Sequence, residues 1–288
     1  MDKVKFPLQH AQAIVLQGNY SGSAADFSVL ARLTHTELLE QECAIPHAVC
    51  EDIGQQPPDG LVPMYISKVV DAFYDQSTRQ CRLYVKRPEY LERHPLGVFI
   101  WQMSLIGASA AAIMRGSKVH LMHCAMLEKA NRALLLCGES GIGKSTSVRR
   151  FKAAGGTAIS DDMVMLEHAS DGKLYAYHLP TWSACREGLE GLDYPFAPPL
   201  EVVGVLAISR DEQCESVKSI SRAEFFAQLY RCSFFHYLWS CGNLPEAEKN
   251  LLASVIQEST GKMVSRFAPQ AFFANLNGDI ASTLKGLL

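Results

Sequence analysis

The chain has 288 residues, of which 48% are apolar and 20% charged, and its net charge is −3. This length suits one large domain or two smaller ones with a full hydrophobic core, and the composition is globular, without a disordered tract. The small negative charge argues against a general polyanion binder, so we expect no nucleic-acid partner. Nine cysteines without a CxxC pair indicate reduced thiols in a cytoplasmic protein.

Residues 1–92 are predicted to form a β-rich N-terminal region. Its apolar or β-favouring runs are Ala13–Leu16, Phe27–Ala31, Tyr65–Tyr74 and Cys81–Lys86. The region contains no catalytic motif, so we interpret it as a packing or recognition module. Cys43, His47 and Cys50 are possible metal ligands, but only three candidates cluster there and Pro46 interrupts them, which disfavours a metal site. The N-terminus also lacks the apolar core of a signal peptide.

An uncharged segment runs from Leu96 to Met114, between Arg93 and Arg115. Its length would allow it to span a bilayer. Polar side chains interrupt it, however, and its glycine and alanine residues lower its hydrophobicity. We therefore expect a buried helix whose small residues permit close packing, rather than a membrane span.

Residues 93–288 are predicted to form a mixed α/β domain. The predicted strands are Val119–Leu127, Ala133–Cys137, Thr157–Ser160, Met163–His168, Leu174–His178, Val202–Ser209 and Met263–Phe267. The predicted helices are Lys144–Ala154, residues 222–232 after the N-cap Ser221, and Pro245–Gln257. The continuous apolar run Ala133–Cys137 is typical of a strand covered on both faces.

A phosphate-binding motif follows that apolar strand. Residues 138–145, which we term the phosphate loop, match the pattern G-x-x-x-x-G-K-[ST] in full, with a predicted strand before it and a helix after it. The glycines let successive backbone N–H groups point at phosphate oxygens, and the helix adds its positive end. We expect Lys144 to reach the β- and γ-phosphates of ATP and Ser145 to bind Mg²⁺. The predicted nucleotide-binding residues are Gly138, Glu139, Ser140, Gly141, Ile142, Gly143, Lys144, Ser145 and Thr146.

Two adjacent aspartates end the next predicted strand. Because the carboxyl ends of parallel strands lie together in a sheet, Asp161 and Asp162 could face the phosphate loop. One could then hold Mg²⁺ while the other accepts a proton from a phosphate acceptor. A solvated turn is an equally good interpretation of an Asp-Asp pair taken by itself.

The spacing of His123, the phosphate loop and the run from Ala158 to Val164 resembles the core of HPr kinase/phosphorylase. That family has a histidine near the start of a strand pair, a G-[DE]-S-G-[IV]-G-K-S loop and an A-D-D-x-V motif. The resemblance covers residues 119–168 and is more specific than the loop alone. It implies an α/β fold with a phosphoenolpyruvate-carboxykinase-like P-loop core behind the smaller β-rich region, with 93–288 as the kinase domain.

The same resemblance implies ATP-dependent phosphorylation of a protein serine. By its motif, Asp161 corresponds to the catalytic acid/base, Asp162 to the carboxylate on the Mg²⁺ side and His123 to an active-site histidine, with Lys144 on the phosphates. Without the resemblance, His123 in an apolar strand would more often be a core residue.

The chain departs from that family at several points. Thr146 stands where the family usually has Glu, and Arg186–Gly191 is only a loose echo of the family's E-x-R-G-x-G signature. No segment resembles its HPr-docking region, and residues 1–92 do not resemble its N-terminal domain. The departures fit HPr-kinase-like proteins of bacterial peptide-modification gene clusters, among which the chain resembles the SynChlorMet cassette protein family. That resemblance implies a Ser or Thr of a ribosomal peptide as the acceptor.

Other segments carry weaker signals. The run His178–Ser183 could line an acceptor groove or pack in the core. Arg149 and Arg150 are expected on a solvated helix face, whereas Arg210 could steady a transferred phosphate. The aromatic stretch 231–241 is interpreted as core or as a contact in a homo-oligomer.

Two functions from different classes therefore remain open. The first is a peptide or protein Ser/Thr kinase with Asp161 as its base. The alternative is a P-loop NTPase coupled to conformational work or peptide binding, without a phosphorylated acceptor. A degenerate fold that binds without turnover is disfavoured by the intact set of Lys144, Ser145 and the two aspartates.

Overall fold

The computed structural model describes residues 2–6, 14–19, 37–39, 46–52, 59–86, 98–179, 199–211, 213–284 and 287. It shows a mixed α/β protein, as the sequence predicted. The chain divides into two units, the first comprising Met1–His120, Ala184–Asp193 and His236–Ser254, and the second Leu121–Ser183, Tyr194–Phe235 and Val255–Leu288.

The first unit is built on a seven-stranded sheet in the order β3-β1-β2-β4-β7-β6-β5. Its strands are β1 (Asp2–Phe6), β2 (Ile14–Asn19), β3 (Glu37–Leu39), β4 (Ala48–Asp52), β5 (Val62–Ile66), β6 (Val70–Asp75) and β7 (Gln80–Val85). The predicted run Tyr65–Tyr74 is two antiparallel strands rather than one. Ser67 breaks it, because its hydroxyl donates to the Val70 carbonyl at 2.7 Å and closes a turn. The predicted run Phe27–Ala31 lies outside the described residues.

Helix α1 (Val98–Met114) packs against this sheet, chiefly on β7, β2 and β4. The prediction of a buried helix with close packing is confirmed at Gly107, where an added Cβ would lie 2.3 Å from the Cys81 sulfur. By its contacts the helix belongs to the first unit, although the sequence placed it in the 93–288 domain. No helix in the described part of the chain has the length and apolarity needed to cross a bilayer.

The suggested metal ligands of this unit have other partners. His47 Nδ1 accepts a hydrogen bond from the Val15 backbone N–H at 3.2 Å, and the Cys50 sulfur lies 3.0 Å from the Ser104 hydroxyl. Cys43 lies outside the described residues. Within the described ranges, no three metal-ligating side chains form a group that could hold an ion.

The second sheet has nine strands and carries the candidate site. They are β8 (His120–Met122), β9 (Cys124–Lys129), β10 (Arg132–Cys137), β11 (Thr157–Ser160), β12 (Val164–His168), β13 (Leu174–His178), β14 (Leu200–Arg210), β15 (Ser216–Ser219) and β16 (Gln270–Ala274). The order is β11-β9-β10-β14-β13-β12-β8, and β16 joins β15 to the carboxyl-terminal half of β14. The predicted strand Val119–Leu127 is interrupted at His123, which lies between β8 and β9.

Apolar side chains cover both faces of this sheet. Leu134 and Leu135 on β10 are both fully buried, but they belong to separate core clusters on opposite faces. This confirms the prediction of a strand covered on both sides and explains its unbroken apolar sequence. The described residues after β10 include the helices α2 (Lys144–Ala153), α3 (Arg222–Ser240), α4 (Glu246–Arg266) and α5 (Ile280–Leu284).

The carboxyl-terminal helices are longer than the sequence indicated. Helix α3 begins as predicted, where the Ser221 hydroxyl accepts the Glu224 N–H at 3.1 Å, but it continues to Ser240. The predicted late strand Met263–Phe267 is wrong, because α4 continues through Met263 to Arg266 and Phe267 directly follows it. Ile256, Met263 and Phe267 are buried at helical spacing. This period is not visible within the five residues that were predicted to form a strand.

The close approach of α1 to β7 predicts that Gly107→Ala destabilises the protein. Overpacking of this kind costs about 1–3 kcal/mol of unfolding free energy, measured by chemical denaturation. Gly261→Ala is the matched control, because Gly261 lies in α4 and an added Cβ there would meet nothing within 4 Å. That control should be neutral or stabilising by up to about 1 kcal/mol. Equal effects of the two substitutions would contradict the packing at Gly107.

The buried His47 predicts acid sensitivity. Burial, with the nearby charge of Arg115, lowers the pKa of His47 from 6.5 to about 4. Because only the unfolded state is protonated between these values, this residue's contribution to stability is complete above pH 6.5 and falls as the pH drops toward 4. We expect His47→Gln to flatten the dependence of unfolding free energy on pH in this window. A pH dependence unchanged by the substitution would rule out His47 as its source.

Candidate functional site

Three strands of the second sheet bring the candidate site together. Strand β9 lies between β10 and β11 and is antiparallel to both, so β10 and β11 run in the same direction. Their carboxyl ends therefore meet at one edge of the sheet, where β9 begins. Gly138 follows β10, Asp161 follows β11 and His123 precedes β9 at this edge. The sequence expected neighbouring parallel strands, whereas here the two strands are parallel with β9 between them.

Three positions of the phosphate loop require glycine, two for their backbone conformation and one for lack of space. Gly141 has φ 79° and Gly143 has φ 120°, a region that residues with a Cβ rarely adopt. Gly138 is needed for space, since an added Cβ would lie 2.3 Å from a methyl carbon of Ile208 on β14. The loop is therefore curled by backbone conformation and held close to the sheet by packing.

Lys144 is buried beneath the phosphate loop. Its ammonium donates to the carbonyls of Gly138 at 2.8 Å and Glu139 at 2.9 Å. Burial lowers the pKa of Lys144, while neighbouring thiols and the carboxylate of Asp162 oppose this shift. Asp162 therefore favours the charged form of Lys144 against the effect of burial.

Helix α2 begins directly after the loop, and its first turn is not capped by a side chain. Gly143 is the N-cap residue and has no side chain to offer, so no side-chain hydrogen bond satisfies the first N–H groups. Ser145 and Thr146 lie in this first turn and are partly exposed. An uncapped helix N-terminus of this kind favours an anion.

The two aspartates differ in their surroundings. Asp162 Oδ1 lies 3.1 Å from His123 Nδ1, close enough for an ion pair when the imidazole is protonated. Asp161 Oδ1 is buried and has no hydrogen-bonding partner among the described residues. The Ser160 hydroxyl donates to the Met163 carbonyl at 2.9 Å, which braces the turn between them. A buried carboxylate oxygen without a partner is costly and points to a role beyond folding.

His123 is held by residues that the sequence did not single out for this purpose. Its ring stacks on Phe235 of α3 with centroids 4.4 Å apart, and its backbone N–H donates to the Cys232 carbonyl at 3.0 Å. The aromatic stretch 231–241 was the available signal, but nothing in it linked Phe235 to a histidine over a hundred residues earlier. His123 is buried, with only 5% of its surface exposed.

The arginines take positions that the sequence did not indicate. Arg210 donates to the Gly141 and Ile142 carbonyls of the phosphate loop, where we had expected a phosphate contact. Arg150 pairs with the buried carboxylate of Glu215 at 2.6 Å and is not on a solvated face. Exposed Arg231 lies 2.9 Å from Glu139, a surface pair of little energetic weight.

Two further predictions fall wholly or partly outside the described residues. His178 and Leu179 are buried, whereas residues 180–183, with the tryptophan proposed for an acceptor groove, are not described. The loose echo Arg186–Gly191 also lies outside the described part of the chain.

Comparison with known proteins adds a family assignment. The family model of SynChlorMet cassette protein ScmC matches residues 97–271, more than half of the chain. The chain belongs to this family. The match includes His123, the phosphate loop and both aspartates, and it confirms the resemblance drawn from the sequence.

The chain was also compared with solved structures and with curated proteins. A solved HPr(Ser) kinase/phosphatase from Coxiella burnetii is similar at 19% identity, over 35% of this chain and 77% of that one, with a TM-score of 0.24. No curated protein gives a significant match.

The loop conformation predicts that Gly143→Ala weakens binding of MgATP, measured by titration calorimetry. A Cβ at this φ strains the backbone by about 1–3 kcal/mol and shifts the N–H groups of the loop. Gly172→Ala is the control, because Gly172 also has a positive φ and open space around it but lies in the β12–β13 turn. It should lower stability without changing MgATP affinity. Equal affinities for both variants would contradict the role of the loop.

Proposed function

We propose that this protein is an ATP-dependent kinase that phosphorylates a Ser or Thr hydroxyl of a peptide. We further propose that its second unit has the phosphoenolpyruvate-carboxykinase-like P-loop core expected for residues 93–288. One observation carries the proposal: the phosphate loop, Asp161 and Asp162 lie at the same edge of the second sheet.

The residues at this edge fit a bound MgATP. The first turn of α2 offers N–H groups without a side-chain cap, and the ammonium of Lys144 donates to two loop carbonyls that a phosphate could replace. Ser145 and Asp162 would hold the magnesium ion through oxygen ligands, which this ion prefers. MgATP would supply the phosphoryl group that is transferred.

The aspartates would divide the remaining work. Asp161, whose buried Oδ1 has no hydrogen-bonding partner among the described residues, would accept the proton of the attacking hydroxyl. His123 would orient Asp162 through the 3.1 Å contact, and the stacked ring of Phe235 would hold the imidazole in place. These roles agree with the positions that the HPr-kinase-like motif assigns to the same residues.

The proposed acceptor rests on the family assignment. A SynChlorMet cassette protein would act beside other products of its gene cluster, so we propose a ribosomal peptide bearing Ser or Thr as the substrate. The remaining expectations, namely a cytoplasmic location, a homo-oligomeric state and no nucleic-acid partner, stay predictions from the sequence.

The test is transfer of label from γ-labelled ATP to a precursor peptide encoded beside the gene. We expect Asp161→Asn to reduce transfer by roughly 10²–10⁴-fold, the usual contribution of a general base, with MgATP affinity retained. Asp171→Asn is the control, because Asp171 lies in the exposed β12–β13 turn and caps the Lys173 N–H at 2.9 Å. Its transfer should equal that of the unaltered protein.

Two outcomes would overturn the kinase proposal. The first is steady phosphate release from ATP without any labelled peptide, which would favour the NTPase alternative. The second is full transfer by the Asp161→Asn variant, which would remove Asp161 from the chemistry.

A further inference from the structure

Four carbonyls of the phosphate loop accept hydrogen bonds from two cationic side chains. Lys144 binds the start of the loop, through the carbonyls of Gly138 and Glu139. Arg210 binds the middle of the loop, with Nε 3.1 Å from the Ile142 carbonyl and Nη2 2.5 Å from that of Gly141. A loop that turns its N–H groups inward must turn carbonyls outward, and these need donors.

The backbone of Arg210 is fixed by the sheet. Arg210 is the last residue of β14, which is parallel to β10, and it is in register with Ala274 of β16. The next residue continues this pairing, since the Asp211 N–H donates to the Ala274 carbonyl at 3.1 Å. Ile208, two residues earlier, packs against Gly138 at the start of the loop. The end of β14 therefore contacts the loop at its start and at its middle.

Lys144 and Arg210 are expected to have different roles when a nucleotide binds. Lys144 is the side chain expected to reach the phosphates, whereas the bonds of Arg210 are to the carbonyls of Gly141 and Ile142. The planar guanidinium of Arg210 reaches its two carbonyls through two different nitrogens, Nε and Nη2, whose relative positions are fixed. Arg210 is thus the donor that can hold the loop both before and after a phosphate binds.

We propose that Arg210 is a positioning residue that keeps the phosphate loop in its nucleotide-binding conformation through the carbonyls of Gly141 and Ile142. The inference rests on the nucleotide binding contained in the proposed function, but not on phosphate transfer to a peptide. It assigns Arg210 a role different from the phosphate contact expected from sequence.

The first measurement is MgATP affinity by titration calorimetry. We expect Arg210→Ala to weaken binding by about tenfold, because two charge-assisted hydrogen bonds are lost, with solvent at this exposed position limiting the effect. Arg210→Lys should recover only part of this loss, and added guanidinium ions should restore binding to the Ala variant. Arg149→Ala, at an exposed position on α2, is the control and should bind as the unaltered protein does.

The second measurement needs no nucleotide. Hydrogen exchange of the loop amides should become faster in the Arg210→Ala variant, while the amides of β10 and β14 keep their protection.

Two results would overturn the positioning role of Arg210. One is that the Arg210→Ala variant changes neither the exchange of the loop amides nor the affinity for MgATP. The other is that the Arg210→Lys variant binds MgATP as tightly as the unaltered protein. An unaltered protein that binds no MgATP would overturn the proposed function and the nucleotide part of this inference together. Quickened loop exchange in that case would still identify Arg210 as the residue that orders the loop.

Discussion

The antiparallel placement of β9 between β10 and β11 is the constraint on which the candidate site depends. A strand that pairs on both sides fixes the register of both of its neighbours. In β9, Cys124 is paired with Cys137 of β10, and Met126 is paired with Ser160 of β11. The phosphate loop and the Asp-Asp turn, which follow β10 and β11, are therefore brought to one edge. A shift of either register by one residue would turn the strand's side chains to the opposite face and misplace the site.

Charge burial is the main energetic cost at this edge. The ammonium of Lys144 is taken out of water and loses hydration, which is why its pKa falls. Two loop carbonyls offset part of this cost, and the carboxylate of Asp162 offsets a further part. Asp161 has no such compensation among the described residues for its buried Oδ1. Unsatisfied groups of this kind are expected where a protein keeps a site ready for a ligand rather than for its own stability.

Much of the second unit could be predicted from the chain. The apolar run of β10, the glycine pattern of the loop and the Ser221 cap of α3 were each identified correctly, because local sequence determines them. Predictions failed where local pattern and tertiary context disagree. Met263–Phe267 reads as a short strand but extends a helix that began seventeen residues earlier at Glu246, and Arg150 reads as solvated but meets the buried carboxylate of Glu215.

The sequence by itself determined the phosphate loop, its flanking strand and helix, and the family to which the chain belongs, because spacing and glycine content specify these within a short stretch. The tertiary structure alone showed that Phe235 stacks on His123 and that Arg210 holds the loop carbonyls. The stacked rings of His123 and Phe235 are 112 positions apart in the chain, and Arg210 and Ile142 are 68 positions apart. No local pattern encodes such pairings, since they depend on how strands and helices pack.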